Sequence, residues 1–98
     1  MTKKLVFHPR AASDAREIGL RYRRVSEALY ERFWDELEKA IDKVALNPER
    51  HHFDSSGYRR CNLGKFPYHL LFEERLDCNR IIVVRHDHRD PRFGLRHR

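Results

Sequence analysis

From Ala11 to Val44 the apolar residues of this chain recur at helical spacing, and from Tyr58 onward they alternate one by one. A stripe of period 3.6 buries one side of a helix, whereas a period of two buries one face of a strand. The chain must therefore bury helices against strands. An α+β layer pair, with the helices covering one face of a largely antiparallel sheet, does this.

Within the helical half, Ala11, Ala15, Ile18 and Tyr22 define one stripe and Leu29, Phe33, Leu37, Ile41 and Val44 a second. Pro9 suits the first turn of the first helix. Ser26, followed by Glu27, reads as the N-cap of the second, and Asn47 with Pro48 supplies its stop. So tight a joint predicts an antiparallel hairpin of helices. Tyr30 and Trp34 lie just off the stripe and read as a widened packing face. Ahead of the hairpin, KLVFH (4–8) reads as a short strand, and the polar stretch 49–57 as a loop.

The alternating half divides into YRRCNL (58–63), FPYHLLFEE (66–74) and RIIVVRHDH (80–88), joined by turns at Gly64–Lys65 and near Asp77. The expected order is one N-terminal strand, two helices and a three-stranded antiparallel meander. If Cys61, Leu63, Tyr68, Leu70 and Phe72 point to the helices, then Arg60, Asn62, His69, Leu71 and Glu73 point away. That second face is expected to be open, with Arg60 and His69 at its surface.

At 98 residues the chain has room for one domain, 1–98. No apolar run approaches the roughly 20 residues that span a bilayer, and MTKKLVF lacks a signal peptide's apolar region. A cytoplasmic protein without membrane association is expected. Cys61 and Cys78 read as reduced thiols. The net charge is +6, and 16 of the 21 basic residues are arginine, whose planar fork suits phosphate and carboxylate. This points to a polyanionic partner, either nucleic acid or an acidic protein segment, or else to a plain solvated basic surface.

Residues 85–98, RHDHRDPRFGLRHR, concentrate that charge. His86 and His88 would share one face of a strand as half of a zinc site, with Asp90, His97 or His69 needed to complete it. The expectation is no metal and no cofactor. There is no GxSxG, no glycine-rich phosphate loop and no HExxH, so serine hydrolases and zinc proteases have no support. What remains is an acid/base set of histidine and arginine. Such a set suits RNA, whose 2′-OH attacks its own phosphate without a metal.

The helical hairpin set between one strand and three, GYRR (57–60), KFPYHLLFE (65–73) and IIVVRHDHRDPRF (81–93) together resemble the RelE/ParE superfamily of type II toxin proteins. The resemblance covers nearly the whole chain. It implies a single RelE/ParE-like toxin domain over 1–98, and a cognate antitoxin that binds and silences it. Two mechanisms come with it. RelE-like members are metal-free endonucleases of ribosome-bound mRNA, and ParE-like members poison DNA gyrase.

Matched residue by residue, Arg60 falls where RelE-like enzymes place a lysine, and Asn62 replaces a second basic residue. His69 sits where those enzymes have an arginine, and Phe93 where they have a tyrosine. Phenylalanine cannot donate a proton. The segment from His86 to Pro91 is closer to ParE-like and plasmid-stabilisation members. Gyrase poisoning is thus the leading expectation, with Arg16, Arg21, Arg23 and Arg24 of the first helix as its contacts. The alternative is RNA cleavage by Arg60, His69, His86, His88 and Arg89. In either case Arg85, Arg89, Arg92 and Phe93 are expected to meet the antitoxin or nucleic acid. A non-toxic, basic nucleic-acid-binding module is a third reading.

Overall fold

A computed structural model describes residues 3–95. The order is strand β1 (Lys4–Phe7), helices α1 (Pro9–Val25) and α2 (Glu27–Leu46), then strands β2 (Arg59–Asn62), β3 (Tyr68–Glu74) and β4 (Cys78–His86). This is the α+β arrangement that the change of period predicts. The 49–57 stretch is not wholly irregular. It opens with a 3-10 turn, Pro48–Arg50, and Phe53 bridges to Arg59 beside β2.

One residue makes the helical hairpin. Ser26 is extended (φ −164°, ψ 153°), which no helix can pass through. Its N–H donates to the Tyr22 carbonyl at 3.0 Å, ending α1, while its Oγ accepts from the Leu29 N–H at 3.1 Å, starting α2. Pro9 occupies the first turn of α1, and His8 Nδ1 accepts from the Arg10 N–H at 3.0 Å as its cap. Trp34 lies against Gly19, where a Cβ would come within 3.1 Å of the indole Nε1. Tyr30 meets Trp34 edge-on at 6.2 Å, and Trp34 packs against the core, widening the packing face of α2 as expected.

The sheet order is β1-β4-β3-β2. β2, β3 and β4 form the antiparallel meander, and β1 joins the free edge of β4 in parallel, Phe7 opposite Ile81. The helices cover one face. Cys61, Leu63, Leu70, Phe72, Ile81 and Val84 meet Ile18, Phe33, Leu37 and Val44 in one core, with Tyr22, Phe33, Phe66 and Tyr68 as its aromatic end.

Strict alternation would put Ile81 and Val83 on the same face. Instead Phe72 pairs with Ile81 and Leu71 with Val83, so Ile82 is an extra residue in β4. This bulge flips the pleat. Ile81 and Val84 face the helices, while Val83 and Arg85 turn to the far side beside Leu71 and His69. That far side is not open. His69, Leu71, Val83 and Arg85 are all buried, because the loop carrying Asp54 and the segment carrying Asp87 and Pro91 close over them.

Replacing Ser26 with alanine removes the cap without touching the core. It is expected to cost about 1 kcal/mol and to lower the melting temperature by roughly 4–8 °C, with asparagine at 26 restoring most of it. Calorimetry of the three proteins measures this, and an unchanged melting temperature for Ser26→Ala would refute the role given to the cap.

Candidate functional site

The far side of the sheet carries a closed ring of five polar side chains from four parts of the chain. Arg85 Nε donates to His69 Nε2 at 3.0 Å, and His69 Nδ1 meets Asp87 Oδ1 at 2.8 Å. Asp87 Oδ1 accepts from Arg60 Nη2 at 3.3 Å, Arg60 Nη1 lies 3.9 Å from Asp54 Oδ1, and Asp54 Oδ2 accepts from Arg85 Nη2 at 3.4 Å. Arg85 Nη1 also donates to the Pro91 carbonyl, and Arg60 Nε to Asn62 Oδ1. Two guanidinium groups and two carboxylates balance.

The ring fixes the state of His69. A guanidinium can only donate, so Nε2 must present its lone pair and the proton must sit on Nδ1, facing Asp87. Burial lowers the His69 pKa below the ordinary 6.5; the Asp87 hydrogen bond opposes this, and the charges of Arg60 and Arg85 reinforce it. A second proton would have to enter between Nε2 and the Arg85 N–H. Burial alone would raise the Asp54 pKa, yet hydrogen bonds from Ser56 and the charge of Arg85 outweigh it and hold the carboxyl below its usual range.

Two expectations are corrected here. His69, expected at the surface, is 1% exposed with both ring nitrogens engaged. Arg85, expected to reach a partner, is 4% exposed, with Nε, Nη1 and Nη2 all donating inside the protein. The open-face expectation failed because alternation says which way a side chain points and nothing about what lies over it. The partners that were missed, Asp54 and Asp87, stand 31 and 18 residues from Arg85 and His69 respectively. Spacing gives no signal for them.

The residues grouped for RNA cleavage are divided between faces. His86 pairs across from Tyr68, on the helix side, whereas His69 and Arg60 lie on the far side. β4 ends at His86, so His88 sits in the following turn rather than on the same strand. Its N–H donates to His86 Nδ1 at 3.1 Å, and the two rings are 5.6 Å apart. Among the described residues no group of three metal-ligating side chains converges, and His97 lies outside them.

His86 and Arg89 border a cavity of about 270 Å³ between α1 and the C-terminal segment, opposite Asp14, Glu17 and Arg21. Arg89 stacks over the Phe93 ring at 4.3 Å. Arg92 is well exposed, 3.5 Å from Asp90.

The four arginines of α1 also divide. Arg21 borders the cavity, and Arg16 lines a groove on the outer side of the hairpin. Arg23 pairs with Glu27 at 3.2 Å and lies over Tyr30. Arg24 is exposed, and so is Leu20 between them, at 51%.

A depressed histidine pKa means that below pH 6.5 the unfolded chain takes up a proton the folded one resists. The stability contributed by neutral His69 is present above that pH and is lost as pH falls. Asp54 adds a loss of the same sign at lower pH. Between about pH 7.5 and about pH 5 the parent should lose more thermal stability than His69→Gln, which keeps a donor and an acceptor but does not titrate. Parallel curves for the two proteins in thermal melts would remove this assignment.

No curated protein matches the chain. Among the described residues, no helix is long and apolar enough to cross a membrane. The family described as the ParE toxin of the type II toxin-antitoxin system, parDE, matches residues 5–91, covering β1, both helices and the whole meander. On that match, this chain belongs to the ParE toxin family of type II toxin-antitoxin systems.

Proposed function

We propose that this toxin stops growth by binding DNA gyrase, not by cutting RNA, and that a cognate antitoxin neutralises it in the cytoplasm. The observation that carries this reading is the closed ring. General acid/base catalysis needs a group that exchanges its proton with substrate, within hydrogen-bond reach of it. His69 is buried, neutral and engaged at both nitrogens, and Arg60 is balanced by Asp54 and Asp87. Neither is free for a scissile phosphate. Phe93 supplies no proton. Exposed positive charge lies along α1, where Arg16, Arg24 and Arg23, the last paired with Glu27, flank the exposed Leu20. An apolar anchor among cations suits a protein surface with acidic groups.

One observation favours the RNA alternative. His86, His88 and Arg89 lie together beside the cavity, outside the ring. A nuclease working there would depend on His86 and His88 and not on His69.

The readings separate in one set of strains. If gyrase is the target, Arg16→Glu with Arg23→Glu and Arg24→Glu should abolish toxicity and relieve inhibition of supercoiling. His86→Ala with His88→Ala should kill as the parent does and leave messages intact. Site-specific cuts on translated messages, lost in the double histidine variant by roughly 10²-fold or more, would overturn the gyrase reading.

The antitoxin is proposed to meet the C-terminal segment with an acidic stretch, through Arg89, Arg92 and Phe93 but without Arg85. Arg89→Glu with Arg92→Glu should weaken the complex at low salt, since both cations are exposed. Unchanged affinity in calorimetric titration would remove these contacts.

A further inference from the structure

We infer that the cavity between α1 and the C-terminal segment is a binding site for a guanine base. In this space of about 270 Å³, Asp14, Glu17 and Arg21 of α1 face Tyr68 of β3, His86 of β4, and Arg89 and Phe93 beyond it. Arg85 also borders it, but its donors are taken by the ring.

The walls carry hydrogen-bonding groups that the protein itself leaves unused. Tyr68 is 8% exposed, and among the described residues its hydroxyl has no hydrogen-bond partner. A buried phenol usually has one. His86 stands edge-on to Tyr68 at 5.1 Å, and its Nδ1 accepts from the His88 N–H at 3.1 Å, which leaves the proton of the neutral ring on Nε2 as a donor. Among the described residues neither Arg21 nor Arg89 makes an ion pair, and neither does Glu17, although Arg21 follows it by one helical turn.

These groups select a ligand by its chemistry. Asp14 and Glu17 balance Arg21 and Arg89, so a bare anion or a bare cation meets like charge as well as opposite charge. An uncharged group with both donors and acceptors avoids that penalty. Phe93, His86 and the Arg89 guanidinium, held 4.3 Å over Phe93, offer flat faces, and unpaired bases stack on such faces.

Guanine alone among the bases sets two N–H groups side by side, N1–H and N2–H, with two acceptors, O6 and N7, on the adjoining edge. The Glu17 carboxylate takes both donors, and the Arg21 guanidinium takes both acceptors. Side chains one turn apart on a helix start about 5–6 Å from each other, a spacing that suits adjoining edges of one ring system. Adenine would turn its N1 lone pair toward Glu17, and cytosine and uracil have one donor group on that edge. Tyr68, His86 and Arg89 remain for the sugar and phosphate attached to the base. Such a base is carried by a free nucleotide or by an unpaired stretch of nucleic acid. Nothing in this site depends on the gyrase reading.

Calorimetric titration of the purified full chain, without gyrase or antitoxin, tests it. Guanosine monophosphate should bind at one site per chain, and adenosine monophosphate and inorganic phosphate at least about tenfold more weakly. A short single-stranded oligothymidylate carrying one guanine assigns the source: binding tighter than that of the mononucleotide means nucleic acid, and equal or weaker binding means the free nucleotide. Glu17→Gln, an exposed change whose folding circular dichroism reports, should weaken the guanine ligand about tenfold and bring it level with the adenine one. Any of three results would overturn the inference: no binding of either guanine ligand at millimolar concentration, equal affinity for guanosine monophosphate, adenosine monophosphate and phosphate, or a guanine preference that survives Glu17→Gln.

Discussion

Arg85 is the residue on which the far side of this protein depends. A buried guanidinium is tolerated only when its donors are met, because several kcal/mol of desolvation per ion must be offset by charge and hydrogen bonds. Arg85 is met by His69 on β3, Asp54 on the loop before β2 and the Pro91 carbonyl after β4. Segments that have little apolar surface of their own are thereby held against the sheet. Removing any one partner would leave part of the hydrogen bonding of a buried cation unmet.

The bulge at Ile82 makes this arrangement reachable. Without the extra residue, Arg85 would project among the helices, where Phe33 and Leu37 offer it no acceptor. With it, the apolar run Ile81–Val84 serves both faces and Arg85 emerges beside His69. One inserted residue thus decides whether the arginine meets the helical core or the ring, which is why such irregularities behave as features of a sheet and not as defects.

The sequence displays what depends on neighbours a few residues apart. The helical stripes, the Ser26 break, the Pro48 stop and the inward set Cys61, Leu63, Tyr68, Leu70 and Phe72 are all local in origin, and all recur in the fold. The parallel pairing of β1 with β4 is set by packing across more than seventy residues, and it left no periodic trace. The candidate site was legible in part. Arg60, His69 and Arg85 stood out by type, but their burial and mutual saturation depend on Asp54 and Asp87, two ordinary-looking acids in polar stretches. A histidine beside arginines has the same composition whether it is a proton shuttle or a structural strut. Only what fills its two nitrogens distinguishes them.

That distinction also locates the protein's charge. The ring contributes no net charge, so the +6 of the chain is expressed elsewhere, on the exposed arginines of α1 and in the C-terminal segment. Among the described residues the two sources meet only at the cavity bordered by Arg21 and Arg89, and α2 carries six carboxylates against three basic residues. Charges exposed in this way act over about a Debye length and steer an approaching partner, whereas the buried Arg85–Asp54 pair of the ring is shielded and holds shape. The same residue type therefore does two kinds of work here. Buried arginine closes the scaffold, and exposed arginine offers a surface at which a partner can be held by shape and charge.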